Sequence, residues 1–199
     1  MNNSIIQMFN PYNWMDKAVV YNQRYDVVPC EWIRKNTDVL VLLFTARGID
    51  KDGIIVKFYE IYESIKLLNL PIEVIYVPMD ETEAEMKQSY ETQANWFTLS
   101  IHDPLVLTLK YMYDITCIPH IVVLKIDGSI ISTHGVIDLE KYGKNAVLTW
   151  LSTSASTKKH RKLNKDASMY GEKWNYLNVR PNSSKYDSYR RKFNVPETS

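Results

Sequence analysis

Residues 116–133 read TCIPHIVVLKIDGSIIST, and this stretch decides the fold class. The largely apolar run Ile118–Ile126 predicts a strand, with Ile121–Ile126 as its core. The pair Asp127-Gly128 is typical of a tight turn, so Ile130–Thr133 is predicted to be the partner strand of a hairpin.

Two further core strands are predicted upstream. The run Val39–Phe44 is continuously apolar, the pattern of a strand buried on both faces, and Ile72–Val77 is the next strand. Between them, apolar residues recur at helical spacing from Ile54 to Leu68. A strand–helix–strand unit followed by a hairpin predicts an α/β domain with a mixed central sheet and helices on both faces.

Shorter elements surround this core. A hairpin is predicted from Lys17–Tyr21 and Asp26–Val28, followed by a short helix after Pro29. Further helices are predicted over Glu81–Thr92 and from Asp103-Pro104 to Met112, and one last helix over Glu140–Leu151. We therefore expect an N-terminal lead over 1–11, a domain over 12–151 and a tail over 152–199.

The charge is distributed unevenly along the chain. The 199 residues carry a net charge of +1, but residues 158–199 hold 11 Lys or Arg against 4 Asp or Glu. The tail begins with a small polar linker, Ser152–Thr157, and shows no sustained period, so 152–199 is predicted to be a basic, mostly disordered segment. Anionic partners, nucleic acid among them, would meet this tail first.

The cellular compartment is predicted from features that the sequence lacks. Two cysteines, Cys30 and Cys117, do not make a disulfide framework, and they fit a reducing compartment. Neither a signal peptide nor a transmembrane run is recognised. We expect a cytoplasmic protein, with a nuclear location as the alternative because Lys158, Lys159, Arg161 and Lys162 resemble an import signal.

Several quoted motifs together resemble a known family. These are Asp80-Glu81 after the second core strand, the segments Trp96–Leu99, His102–Pro104 and Tyr113–Pro119, the Asp127-Gly128 turn and Gly135. Over residues 12–151 they are similar to the thioredoxin superfamily, in its tryparedoxin and nucleoredoxin-like branch. The nearest resemblance is to nucleoredoxin-like proteins related to rod-derived cone viability factor.

The resemblance also locates a missing active site. Family members carry a Trp-Cys-Pro-x-Cys loop before the first long helix, where this chain has Arg47–Gly53, about four residues shorter and without cysteine. Dithiol exchange requires an attacking thiolate and a second, resolving thiol. No catalytic residue is therefore predicted. The shortened loop predicts a helix start between Asp52 and Ile54, capped by Asp50 or Asp52.

Pro119 matches the family's cis-proline. The resemblance implies a cis Ile118–Pro119 bond facing the loop, with the preceding backbone able to pair with extended peptides. We predict a shallow apolar depression at Ile118 and Pro119, rimmed by Arg47 and Lys51. The alternative is that Pro119 serves only the fold.

Other candidate residues have simpler interpretations. Cys117 is either a reactive monothiol, such as a glutathionylation site, or an incidental small side chain; strand alternation makes His120 a doubtful activator. Cys30 is read as incidental, and Asp103 as a helix cap. The scattered histidines and two cysteines predict no metal site, and the glycines near Arg47 no phosphate loop, so no cofactor is expected.

Three functional hypotheses follow. The first is a redox-inactive interaction or regulatory protein that binds protein partners through the Pro119 face, the tail or both. The second is a weak monothiol-dependent thiol-disulfide oxidoreductase using Cys117. The third is nucleic-acid binding by the tail.

Overall fold

The computed structural model describes residues 14–50, 53–155 and 193, with only the backbone of Ser154 and Ala155. Within these ranges seven strands form one sheet. Seven helices accompany them in the same part of the chain. The strands are β1 Val20–Tyr21, β2 Val27–Val28, β3 Val39–Thr45, β4 Ile72–Pro78, β5 Phe97–Leu99, β6 His120–Lys125 and β7 Ile130–Ser132. The helices are α1 Trp14–Lys17, α2 Cys30–Asn36, α3 Ile54–Leu67, α4 Glu83–Glu91, α5 Pro104–Met112, α6 Gly135–Tyr142 and α7 Asn145–Ala155.

The sheet is mixed, in the order β2-β1-β5-β4-β3-β6-β7. Strand β3 lies parallel to β4 and antiparallel to β6, with Phe44 opposite His120 at one end of the latter pair. Every residue of β3 and β4 is buried, as expected for central strands covered on both faces. The predicted mixed sheet is confirmed.

Each face of the sheet packs against its own helices. One core contains Val39, Val41 and Leu43 from β3, together with residues of α3, α4, α6 and α7. The second contains Leu40, Leu42 and Phe44, together with residues of α1, α2 and α5. Alternate side chains of one strand thus serve two cores, because successive residues of a strand point to opposite faces.

The C-terminal helical region differs from the prediction. The single helix expected over Glu140–Leu151 is wrong, because α6 already begins at Gly135 and the chain breaks at Gly143 before α7. Gly143 has φ 53°, a positive value that glycine adopts readily, and it ends α6. Helix α7 continues through Ser152–Ala155, so these residues are helical rather than part of the expected linker.

Some expectations concern other parts of the chain. The N-terminal lead and the tail beyond Ala155, Phe193 excepted, lie outside the described residues, and so do the tail's basic cluster and the predicted loop residues Lys51 and Asp52. Helix α1 was not predicted, and it occupies Lys17, which had been assigned to the first strand.

Candidate functional site

The loop after β3 closes on itself without thiols. The amide of Ile49 donates to the carbonyl of Ala46 at 3.2 Å. The hydroxyl of Thr45 donates to the carbonyl of Ile49 at 3.3 Å. Gly48 takes the left-handed conformation with φ 72°, which favours glycine at this position. Backbone and hydroxyl contacts thus fold back the described part of the loop, residues 46–50.

Asp50 caps the first long helix from outside its first turn. Its carboxylate accepts hydrogen bonds from the amides of Ile55 at 2.8 Å and Val56 at 3.3 Å. The helix begins at Ile54, and Gly53 at its N-cap supplies no side-chain acceptor. These two bonds satisfy amides that a helix start leaves without intrahelical partners. The helix thus begins at the late end of the predicted range, and of the two predicted caps the structure shows Asp50 in that role.

Asp80 ties the same loop to the end of β4. One of its carboxylate oxygens accepts the amide of Arg47 at 2.7 Å, and the other accepts the hydroxyl of the buried Tyr76. Burial and this hydrogen bond raise the pKa of Tyr76 well above its ordinary value. Sequence reasoning missed the role of Asp80. Its position two residues after a buried strand, at the loop's end of the sheet, is the signal that could have identified it.

The segment before β6 lies at the same end of the sheet. Because Phe44 pairs with His120, the start of β6 is beside the end of β3, where the loop departs. The Ile118–Pro119 peptide bond is cis. Cys117 is exposed, Ile118 and Pro119 are half-buried, and Ile118 packs against the second core. The topology therefore brings the predicted residues Arg47, Ile118 and Pro119 to one end of adjacent strands.

A cavity of about 310 Å³ opens on the other side of this loop. It lies among the loop, α3 and α4, and its lining includes Ile49, Asp50, Val56, Tyr59, Gln93 and Trp96. Neither Ile118 nor Pro119 contributes to it. The depression beside Pro119 thus remains a prediction, whereas this cavity was not anticipated from the sequence.

The two thiols have different surroundings. Both Cys30 and Cys117 are free, but only Cys117 is exposed. The Cys30 thiol donates to the carbonyl of Ala18 at 3.2 Å, and burial raises its pKa, with the opposing charge of Arg34 as a smaller influence. This environment supports the reading of Cys30 as an incidental residue.

His120 is a poor activator for a nearby thiol. Burial lowers its pKa, while a hydrogen bond with the Thr133 backbone opposes that effect. Among the described residues, its Nε2 atom has no hydrogen-bond partner. A neutral imidazole at pH 7 offers no positive charge to stabilise a Cys117 thiolate.

The remaining polar candidates are structural. Asp103 accepts the amide of Leu105 at 2.9 Å and caps α5, as predicted. His102 lies with its Nε2 atom 3.7 Å from a carboxylate oxygen of Glu83. Within residues 14–50 and 53–155, no group of three or more His, Cys, Asp or Glu side chains is arranged to hold a metal ion. None of the helices described there has the length and apolarity needed to cross a bilayer.

Comparison with known sequences agrees with this geometry. Residues 36–130, which run from the end of α2 to β7, match the protein family described as Thioredoxin-like. The chain has a thioredoxin-like fold. A curated relative, probable nucleoredoxin 3 from Oryza sativa subsp. japonica, is 32% identical over 88 residues, which are 44% of this chain and 18% of that protein. The match therefore spans less than a fifth of the relative's length.

Solved structures share the fold of the thioredoxin-like domain. A thioredoxin from Wuchereria bancrofti superposes with a TM-score of 0.58 at 21% identity, covering 68% of this chain and 95% of that one. Native tryparedoxin I from Crithidia fasciculata gives a TM-score of 0.59 at 14% identity, covering 67% and 93%. Tryparedoxin from Trypanosoma brucei gives 0.58 at 19% identity, covering 67% and 91%. At these identities the likeness concerns the fold alone.

Proposed function

We propose that this protein is a redox-inactive interaction or regulatory module that binds protein partners at the face formed by Arg47, Ile118 and Pro119. The observation that carries the proposal is the loop between β3 and α3, whose residues 46–53 contain no cysteine. Thiol-disulfide exchange by a dithiol needs a second thiol to resolve the mixed disulfide. The chain's two cysteines lie outside the loop: Cys117 directly precedes Ile118, and Cys30 is half-buried in contact with the second core.

Hydrogen bonds hold the backbone at both ends of the loop that stands where the resembled family has its dithiol turn. Asp50 holds the start of α3, and Asp80 holds the amide of Arg47. Both contacts fix the backbone without requiring chemistry from the loop. A backbone fixed in this way offers a preformed surface for recognition.

The docking face is suited to an extended peptide. Thr116 and Cys117 are exposed directly before the half-buried Ile118 and Pro119, and Arg47 is exposed on the neighbouring loop. Extended peptides bind to such segments through main-chain hydrogen bonds, with nearby side chains providing specificity. Strand β6 continues from this segment into the sheet centre, so the face rests on a rigid element.

The basic tail is the second contact surface of the proposal. Residues 158–199 carry a net charge of +7, whereas residues 1–157 carry −6. Charge segregated in this way attracts acidic partners or nucleic acid to one end of the chain. Nucleic-acid binding by the tail would weaken steeply with added salt, because it depends on counterion release.

A peptide-display selection tests the docking face. Extended peptides selected against the protein are expected to lose affinity for the variants Cys117→Arg and Arg47→Glu, which place bulk or opposite charge on that face. Ile137→Arg is the matched control, because Ile137 is exposed on α6. Peptides that bind all three variants equally would show that this face is not the docking site.

The exposed thiol of Cys117 favours a second candidate, monothiol exchange. In that reaction the Cys117 thiolate attacks one sulfur of a substrate disulfide and releases the other sulfur as a thiolate; a glutathione thiolate then attacks the substrate sulfur of the mixed disulfide and releases the Cys117 thiolate. An insulin-reduction assay with glutathione compares the wild type, Cys117→Ser and the control Cys30→Ser. We expect no activity from any of the three. Activity that is abolished only by Cys117→Ser would support the monothiol enzyme instead.

A loop graft tests whether the missing cysteines alone prevent disulfide reduction. Replacing the residues between Ala46 and Gly53 by Trp-Cys-Pro-Pro-Cys is expected to generate disulfide reduction if the remaining site is intact. The same graft with both cysteines changed to serine is the control. A folded but inert graft would show that more than the thiols is missing, and it would weaken the proposed role of the Pro119 face.

A further inference from the structure

Phe193 lies against the body of the domain, although residues 156–192 separate it from α7 in sequence. Its ring contacts that of Trp32, with the centroids 5.0 Å apart and the planes at 79°. Its carbonyl oxygen accepts a hydrogen bond of 3.1 Å from the side-chain amide of Asn22. Phe193 is half-buried and packs against the second core. One residue of the C-terminal segment is thus held by both its backbone and its side chain.

Asn22 is oriented for this contact by the hairpin that contains it. The side chain is buried, and its Oδ1 atom accepts the amides of Arg24 and Asp26, each at 2.9 Å. These two donors fix which end of the amide is oxygen, so the Nδ2 atom faces away from them. That nitrogen donates to the Asp26 carboxylate at 3.3 Å and to the carbonyl of Phe193. The hairpin therefore presents a preset donor for a peptide carbonyl.

Trp32 supplies the matching aromatic contact. It lies on α2, half-buried, in edge-to-face contact with Phe97 of β5 at a centroid distance of 6.2 Å. Phe193 adds a second edge-to-face neighbour, an arrangement that aromatic pairs prefer. A preset donor beside an aromatic ring selects a peptide residue with a free carbonyl and a planar side chain.

We propose that Asn22 and Trp32 form an aromatic-anchor site whose occupant is the C-terminal segment of the same chain, held by Phe193. This anchor site goes beyond the proposed function and does not involve the Pro119 face. It adjoins the β1–β2 hairpin, whereas Pro119 precedes β6, with four strands between β2 and β6 in the sheet. The opposite net charges of residues 158–199 and residues 1–157 favour this docking.

Chain length favours docking within one molecule. The 37 residues between α7 and Phe193 are ample to cross a small domain, because an extended chain spans about 3.3–3.6 Å per residue. Covalent linkage within one chain gives an effective concentration on the order of 1 mM. A second copy at micromolar concentration would compete poorly with that value.

Paramagnetic relaxation tests the anchor in the full chain. In the variant Cys30→Ser, Cys117→Ser, Thr198→Cys, a nitroxide on residue 198 is expected to broaden the signals of the hairpin and of the Trp32 indole. Adding Phe193→Ala should abolish that broadening, whereas the matched tail change Tyr189→Ala should leave it. Broadening that survives Phe193→Ala, or is absent from the start, would overturn the proposal.

Two further measurements test whether Phe193 is the anchor and whether the docked segment belongs to the same chain or to a second copy. A synthetic peptide of residues 186–199, added to the Phe193→Ala chain, should shift the hairpin signals, and its Phe193→Ala version should bind about tenfold more weakly or worse. Equal binding by the two peptides would refute the aromatic anchor. In a mixture of isotope-labelled and spin-labelled chains, we expect no broadening between copies; strong broadening there would overturn docking in cis.

Discussion

Removing the carboxylate of Asp50 is expected to destabilise the domain through the start of α3. In Asp50→Ala the amides of Ile55 and Val56 lose their acceptors, which lie at 2.8 and 3.3 Å. Gly53 at the N-cap has no side chain that could replace them. The variant also removes a negative charge from the positive end of the helix dipole.

The magnitude follows from these two bonds. Losing a side-chain cap costs about 0.5–2 kcal/mol, and two acceptors at one helix start place this variant at about 1–2 kcal/mol. For a chain of this size, each kcal/mol lowers Tm by roughly 2–4 °C, so we expect a decrease of roughly 2–8 °C. Urea unfolding and a thermal scan of purified protein measure both quantities.

Two control variants show whether the loss of stability comes from the cap itself. Asp50→Asn keeps one acceptor oxygen and should lose less stability than Asp50→Ala. Glu60→Ala removes a carboxylate from an exposed position of the same helix and should stay within about 0.5 kcal/mol of the wild type. If Asp50→Ala unfolded at the wild-type midpoint, or no earlier than Glu60→Ala, the assigned cap would be refuted.

Two other predictions concern β6. In Gly135→Ala the new Cβ would lie 2.3 Å from the Cγ2 atom of Ile121. We expect a loss of about 1–3 kcal/mol by urea unfolding, against little change for the exposed Ile137→Ala on the same helix; an unchanged midpoint would contradict the close approach. Because the pKa of His120 is lowered in the folded state, the unfolded chain binds more protons. Stability contributed by neutral His120 is therefore present above pH 6.5 and lost as the pH falls from there toward the folded pKa. The variant His120→Asn should lose less stability than the wild type between pH 7 and 5, and equal slopes would refute this reading.

The central elements were predictable because their signals are local. The apolar run at Val39–Phe44, the helical spacing after Ile54 and the Asp127-Gly128 turn each describe one element, and the structure has all three. The cap by Asp50 was predictable for the same reason, since it acts within six residues of itself. Hydrophobic pattern and capping chemistry together were sufficient for these features.

The missed features depend on contacts between distant parts of the chain. Asp80 meets Arg47 only because β3 and β4 end together, and Phe193 meets Asn22 across 171 residues of sequence. No periodicity encodes such pairs. The break between α6 and α7 has a local signal, because Gly143 is typical of a helix end, but the apolar residues after Glu140 keep helical spacing across the break and mask it.

The position of β3 between β4 and β6 determines what happens if the chain is cut into two fragments. A cut in the turn after α5 would separate β1–β5 from β6 and β7, and would leave one side of β3 without a partner. That bared edge has six consecutive apolar residues, Val39–Phe44, and such an edge recruits other strands. The C-terminal fragment carries its natural partner strand, in which Leu124 pairs with Leu40. The molecule thus has the layout of a two-fragment complementation system, in which each half is incomplete and the C-terminal fragment supplies the strand that β3 lacks.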